Sequence, residues 1–382
     1  MSWKETTLGD ISANIQTGPF GSQLHQSDYS EIGIPVVMPK DLLGGKISEN
    51  SIARVDVSHV ERLAKHKIAN GDILYSRRGD VGRCALAGEK EKGWLCGTGC
   101  LRVTIDPERA ISKFVFYQLQ SAESVGWVEN HAVGSTMLNL NTSILSEVPV
   151  KLPDLNIQRR IADILSAYDD LIENDQKQIK LLEEAAQRLY KEWFVDLHFP
   201  GWENTTIVDG VPEGWRKGFL KELISVNYGK DHKQVPNDGD IPVYGSGGIM
   251  RKCDRALFEG EAVLVPRKGS LNNIMYVNEA FWTVDTMFYA TMKQEHTTLF
   301  VYFYLSSYDM YAMNIGAAVP SMTVKILDAM DVLIPSAEML KKYDITAKKY
   351  FDRISALRGQ NELLTEARDR LLPKLMSGEL EV

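Results

Sequence analysis

Two loops in this chain place basic side chains beside glycine, a mixture suited to contacting a nucleic acid. Ser76-Arg77-Arg78-Gly79-Asp80-Val81-Gly82-Arg83 follows one predicted strand. Pro266-Arg267-Lys268-Gly269-Ser270-Leu271-Asn272-Asn273 follows another. An arginine fork reads guanine in the major groove or clamps phosphate, and an asparagine amide reads adenine. Glycine allows a close backbone approach. Two further loops carry the same mixture: Tyr228-Gly229-Lys230-Asp231-His232-Lys233, and Tyr244 to Lys252 with its Gly245-Ser246-Gly247-Gly248 and Arg251-Lys252. A single loop of this kind reads equally well as a solvated turn. Basic loops at matching places in two halves of a chain favour contact. The candidate set in the first half is Ser22, Gln23, Lys40, Arg77, Arg78 and Arg83. In the second half it is Lys230, His232, Lys233, Ser246, Arg251, Lys252, Arg267, Lys268, Ser270, Asn272 and Asn273.

Signatures of catalysis are missing from the sequence. There is no G-x-x-x-x-G-K-[ST] phosphate loop and no G-x-G-x-x-G between a strand and a helix. Cys96 and Cys100 lie four apart, with no second pair at metal-ligand spacing. Together with Cys84 and Cys253 they read as buried free thiols. Pro153-Asp154 followed by Asp175-Gln176-Lys177 resembles a nuclease pattern, but its second half falls inside a predicted long helix. His25, His59, His66, His131, His198, His232 and His296 are scattered. The chain is therefore expected to be non-catalytic and to need neither metal nor cofactor.

Composition sets the frame. The 382 residues suffice for two or three domains. No apolar run approaches a membrane span. The polar start, Met1 to Thr6, lacks a signal-peptide core, and the few cysteines suit a reducing cytoplasm. Net charge is −8. That average does not exclude DNA, because phosphate binding depends on local clusters. It implies that the chain alone binds DNA weakly and that a partner supplies part of the phosphate contact.

The elements that position the loops form a repeat. Pro153 to Phe194 and Pro335 to Met376 are one design used twice, at a constant offset (335 − 153 = 182). Tyr168 falls on Tyr350, Ile172 on Ile354, and Arg188-Leu189 on Arg370-Leu371. Each copy carries a heptad. The first seam is Ile161, Leu165, Tyr168, Ile172, Asp175, Ile179, Leu182, Ala186, Leu189 and Trp193. The second is Tyr343, Ala347, Tyr350, Ile354, Leu357, Asn361, Leu364, Arg368, Leu371 and Leu375. Spacing alternating between three and four makes a seam for a partner helix. Polar Asp175, Asn361 and Arg368 interrupt it and can fix register. The economical arrangement pairs the two helices inside one chain, rather than packing each on its own domain or joining two copies.

A weaker repeat precedes each helix. Trp3 to Leu8 matches Trp215 to Leu220 (215 − 3 = 212), and Gly71 to Arg77 is echoed by Gly260 to Arg267. In the first copy, strands are predicted over Ile34–Met38, Gly71–Ser76 and Leu101–Ile105. A helix is predicted over Phe114–Glu123 and a loop over Val133–Thr136. The organisation reads as a globular domain over 1–153, a long helix over 154–197 and a linker over 198–212. A second globular domain over 213–335 and a second long helix over 336–378 complete it. The fold class is α+β: two tandem mixed domains and two long helices pairing as an intramolecular antiparallel coiled coil, with pseudo-two-fold repetition.

This order of segments resembles the specificity (S) subunit family of type I restriction–modification enzymes. The segments carrying the resemblance are Gly18-Pro19-Phe20-Gly21-Ser22, Pro242 to Ile249, Arg267-Lys268-Gly269-Ser270 and Leu371 to Gly378. One departure is Pro153 to Gln158, where only Gln158 remains of a Glu-Gln pair common in the family. The resemblance implies that each globular domain reads one half of a bipartite double-stranded DNA target. It implies that the helices set the spacing and dock two methyltransferase (M) subunits, with restriction (R) subunits joining the complex. It further implies that adenine methylation and ATP-dependent cleavage belong to those other chains. The alternatives are a coiled-coil scaffold with peptide- or protein-binding loops, and a free-standing DNA methyltransferase.

Overall fold

The computed structural model describes residues 3–134, 138–233, 235–314 and 320–382. The chain divides into two compact units, Met1–Asn174 with Gln360–Val382, and Asp175–Gly359. Each unit therefore takes one globular region and half of each long helix.

Those helices are α3, Leu155–Tyr190, and α5, Ala337–Ser377. In the first unit, Ile161, Ala162 and Leu165 of α3 share a core with Leu375 and Met376 of α5. Further along, Asp169 meets Arg368 at 2.6 Å. In the second unit, Glu183 meets Arg358 at 2.8 Å, and Ala186 and Tyr190 share a core with Met339, Leu340, Tyr343 and Ala347. As the number rises along α3 it falls along α5, so the pairing is antiparallel in both units. Ile161, Leu165, Tyr343, Ile354 and Leu357 are buried. Tyr168, Ile172, Ile179, Leu182, Leu189, Tyr350, Leu364 and Leu371 are half-buried. Leu181 and Leu363, one position off the seam, are 63% and 69% exposed. A one-residue change of phase would exchange these sets.

The proline that opens each repeat precedes a cap. Asp154 Oδ1 accepts from the backbone N–H of Asn156 and Ile157, at 2.9 and 3.1 Å. Ser336 Oγ accepts from Met339 N–H at 3.3 Å. Such caps satisfy backbone donors that the first helical turn leaves free. Gln158 is buried, with its amide bound to Ile111 N–H and the Pro153 carbonyl, each at 2.9 Å. It ties the helix start to the first globular region. At the far end of the second repeat, Gly378 takes φ +74°, the left-handed stop that glycine accommodates. The first helix widens into a π turn over Lys191–Val195 and is ended by Leu197 at φ +59°.

The first unit's strands are β1 (Lys4–Thr7), β2 (Ser12–Thr17), β3 (Tyr29–Ser30), β4 (Ile34–Val37) and β5 (Ala53–Val55). After these come β6 (Ile73–Ser76), β7 (Cys84–Leu86), β8 (Leu95–Cys96), β9 (Cys100–Ile105) and β10 (Pro149–Leu152). They form sheets in the orders β2-β9-β6-β7 and β8-β4-β5-β3, with β1 pairing β10. The second unit holds β11 (Arg216–Phe219), β12 (Ile224–Tyr228), β13 (Ile241–Gly245) and β14 (Gly248–Cys253). It continues with β15 (Phe258–Pro266), β16 (Met275–Thr283), β17 (Met287–Met292) and β18 (Asp331–Ile334). Its main sheet runs β12-β17-β15-β16-β13-β14. The repeat is visible in the register. Lys4 faces Leu152 and Arg216 faces Ile334. Val36 lies parallel to Leu95, and Val243 parallel to Trp282. One long strand, β16, does in the second unit what β7 and β8 share in the first.

One expectation changes. The helix expected over Phe114–Glu123 is two helices, α1 (Ser112–Leu119) and α2 (Ala122–His131). Ser121 breaks them, because its hydroxyl accepts from Ser124 N–H and caps the second. Among the described residues, the second unit has α4, Thr298–Ser306, alone at this place. Within the expected loop after α2, Val133 bridges Asn139, while Ser135 and Thr136 lie outside the described residues.

Candidate nucleic-acid interface

The two basic loops have the same backbone. Each leaves a buried central strand, β6 or β15. Arg77 N–H donates to the Gly99 carbonyl at 2.8 Å, and Arg267 N–H to the Thr286 carbonyl at 2.9 Å. The next turn needs a left-handed residue, and Gly79 and Gly269 supply it at φ +75° and +89°. Val81 N–H then returns to the Gly79 carbonyl at 3.0 Å, and Leu271 N–H to that of Gly269 at 2.9 Å. Val81 and Leu271 are buried and anchor the loops. Leu140 and Met322 close the frame by donating to the carbonyls of Arg77 and Arg267, at 2.8 and 2.9 Å. A neighbouring glycine is shared too. A Cβ on Gly18 would strike the Gly97 carbonyl, and one on Gly229 the Val284 carbonyl.

In the second unit three loops gather around residues 266–273. The Arg267 guanidinium lies 5.5 Å from the Tyr228 ring centroid and donates to the Asp285 carbonyl at 3.3 Å. Asn273 donates its amide to the Ser246 carbonyl at 2.9 Å. Lys230, Lys233, Lys252, Lys268 and Ser270 are exposed, and Ser246 is half-buried. Lys252 stands 3.8 Å from Asp240.

Several candidates have side chains bonded within the loops. Asn272 donates to Asp309 at 3.1 Å and accepts from Met310 N–H at 2.7 Å, so both ends of its amide are engaged. The Asn273 donor is taken as described. Arg251 is turned inward. Its guanidinium donates to the carbonyls of Val235, Lys252 and Pro236, at 2.9, 3.1 and 3.3 Å, and to Asn237 and the His232 carbonyl. It also binds His232 Nδ1 at 3.1 Å, which engages that ring as well. These bonds tie the side chains to neighbouring segments of the same unit.

In the first unit Arg78 and Ser22 are exposed and Arg77 is half-buried. The Arg83 guanidinium is held by Asp80 at 2.7 Å. Lys40 Nζ donates to the Ser51 carbonyl at 2.9 Å, and Gln23 Oε1 accepts from Phe20 N–H at 3.1 Å. Among the described residues, Arg77, Arg78 and Ser22 are the candidates here whose side chains show no such bond. Sequence reading passed over an apolar group beside the second-unit loops. Tyr228, Ile249, Met250 and Tyr311 are all exposed, and the Tyr311 hydroxyl donates to the Gly269 carbonyl at 3.1 Å. The signal was present in Ile249-Met250, an apolar pair following two glycines.

The cysteines are buried free thiols. Burial pushes Cys84 and Cys96 up to about 12, which leaves them protonated and unreactive at neutral pH. Among the described residues, no group of three His, Cys, Asp or Glu side chains is placed to hold a metal. No helix is long and apolar enough to cross a membrane among them.

Comparison with known proteins agrees with this architecture. The model of the type I restriction modification DNA specificity domain matches residues 1–184 and 212–371, one match per repeat. The chain is similar to the MjaIX specificity subunit of a type I restriction enzyme from Methanocaldococcus jannaschii. They are 25% identical, over 91% of this chain and 87% of that one. It is 22% identical to the HindI specificity subunit of Haemophilus influenzae, over 99% of both chains. In fold it is similar to the crystal structure of the S subunit of a type I restriction–modification system from M. genitalium. The TM-score is 0.65 at 20% identity, covering 98% of this chain and 96% of that one. The scaffold and free-standing methyltransferase alternatives find no support among these.

Proposed function

The chain belongs to the type I restriction–modification DNA specificity family, and from that premise we propose how it reads its target. It is the specificity subunit, a non-catalytic part of a complex with DNA and the other restriction–modification subunits. Each unit reads one half of a bipartite double-stranded target. In the first, Arg77 and Arg78 enter the interface with Ser22. In the second, Arg267, Lys268 and Ser270 do so, with Lys230, Lys233 and Lys252 on flanking phosphates. The functional division follows the sequence repeat: recognition domains over 1–153 and 213–335, spacer helices over 154–197 and 336–378. The helices set the gap between half-sites and present repeated surfaces to two methyltransferase subunits, which bring restriction subunits into the complex. Adenine methylation and ATP-dependent cleavage are then carried out by those partners, in the cytoplasm.

The observation that carries this reading is the pair of basic loops. Their backbone hydrogen bonds coincide, while their side chains differ: Arg78 against Lys268, and Asp80 against Ser270. One frame presenting two sets of side chains suits two different half-sites. Methylome sequencing of cells carrying this chain with its cognate methyltransferase subunit tests it. The expected result is an adenine-methylated split motif, half of which changes when residues 213–335 are exchanged for another version. No methylated motif, with the methyltransferase bound and active, would overturn it.

A further inference from the structure

The hairpin of β13 and β14 ends in an apolar tip at the edge of the second unit's basic loops. Tyr244 pairs with Ile249, and Val243 with Arg251, so Met250 is the unmatched residue of a bulge. Bulges re-aim side chains. Ile249 and Met250 are 62% and 58% exposed. At the turn, Gly247 and Gly248 face open space, so the backbone there can approach a surface closely.

The hairpin is held rigidly. Its base stands on buried Val243 and Tyr244. Arg251 ties β14 to the carbonyls of Val235 and His232. The tip is fastened to the basic loop by Asn273, and a Cβ on Gly269 would lie 2.6 Å from Ser246 Oγ. Tyr228 lies beneath Arg267, and Tyr311 is bonded to Gly269. Exposed apolar side chains and the cations of the interface therefore share one edge. A pair of exposed apolar side chains on a tethered hairpin at a cationic edge is suited to a surface that is apolar within a polyanion. In the major groove that group is the 5-methyl of thymine, and the groove admits a two-stranded ribbon.

We propose that Ile249 and Met250 read thymine 5-methyl groups in the half-site recognised by the second unit. This rests on the recognition reading above. The test uses the full chain with its methyltransferase partner and a duplex bearing the motif found by methylome sequencing. Each thymine of the second half-site is replaced singly by uracil, which removes only the methyl. Loss of one buried methyl is expected to weaken binding about fourfold at one or two positions. In the double variant Ile249→Ala, Met250→Ala, binding to the thymine duplex falls and the thymine–uracil difference disappears. Circular dichroism and preserved reading of the first half-site check that the variant is folded. A second half-site without thymine, a scan neutral at every position, or a difference that persists in the variant would each overturn the proposal. Preference for the motif over a scrambled duplex is measured in the same samples. Its loss in the unaltered complex would overturn the recognition reading itself, whereas its retention with a neutral scan overturns only the thymine contact.

Discussion

Arg77 and Arg267 occupy one position in two copies of a hydrogen-bond frame, so each is the control for the other. Arg267→Ala is expected to relax discrimination in the second half-site by about 1–3 kcal/mol and leave the first unchanged. Arg77→Ala should do the converse. Competition binding with duplexes altered in one half measures this, and equal loss at both halves from a folded variant would refute the assignment. The glycines make a sharper structural test. Gly229→Ala drives a Cβ into the Val284 carbonyl, whereas Gly247→Ala meets nothing within 4 Å. The melting temperature should fall clearly for the first, and the stability of the second should stay within about 0.5 kcal/mol of the parent. At this scale the sequence was only half legible. It shows that Arg251, Asn272 and Asn273 carry donors, but not that the donors are engaged. Their partners lie up to 38 residues away, and the chemistry that reads a base also ties a loop.

The helices were legible because a spacing of three and four survives in any antiparallel or parallel pair. Their division between two units was not, since a heptad is silent about where the globular regions attach. Leu357 is fully buried in the second unit, while Leu363 is 69% exposed in the first. Leu357→Asp should lower stability by several kcal/mol, combining lost packing with a buried charge. Leu363→Asp should be near neutral. Comparable losses in melting temperature would displace the seam. The repeat also hides differences of chemistry. In the first unit Tyr117 donates to Asp169, which also binds Arg368 at 2.6 Å. At the matching place in the second unit, Phe303 and Phe351 stand with ring centroids 5.9 Å apart. A polar and an aromatic joint thus serve one architecture. Likewise, the break at Ser121 escaped the sequence reading because serine caps a helix only when the next turn forms.

For the whole molecule, a constant offset between repeats revealed the architecture, whereas the average charge is silent about where DNA would be met. A chain of net charge −8 is repelled by DNA as a body. On the reading proposed above, its exposed loop cations act against that field, with help from a partner's surface. The dependence of binding on salt therefore counts the contacts each part makes. If Arg78 and Lys268 each neutralise one phosphate, then Arg78→Ala and Lys268→Ala should each flatten the slope of log affinity against log salt by about 0.9. The double variant should flatten it by about 1.8, with the order of preference among duplexes unchanged, since phosphate contacts position a protein without reading bases. Titrations of the complex with its methyltransferase partner over a range of salt measure this. An unchanged slope would place both side chains in solvent. A slope that changes together with the preferred sequence would make them base readers, and the two loops would then specify the target with adjacent cations rather than with Arg77 and Arg267 alone.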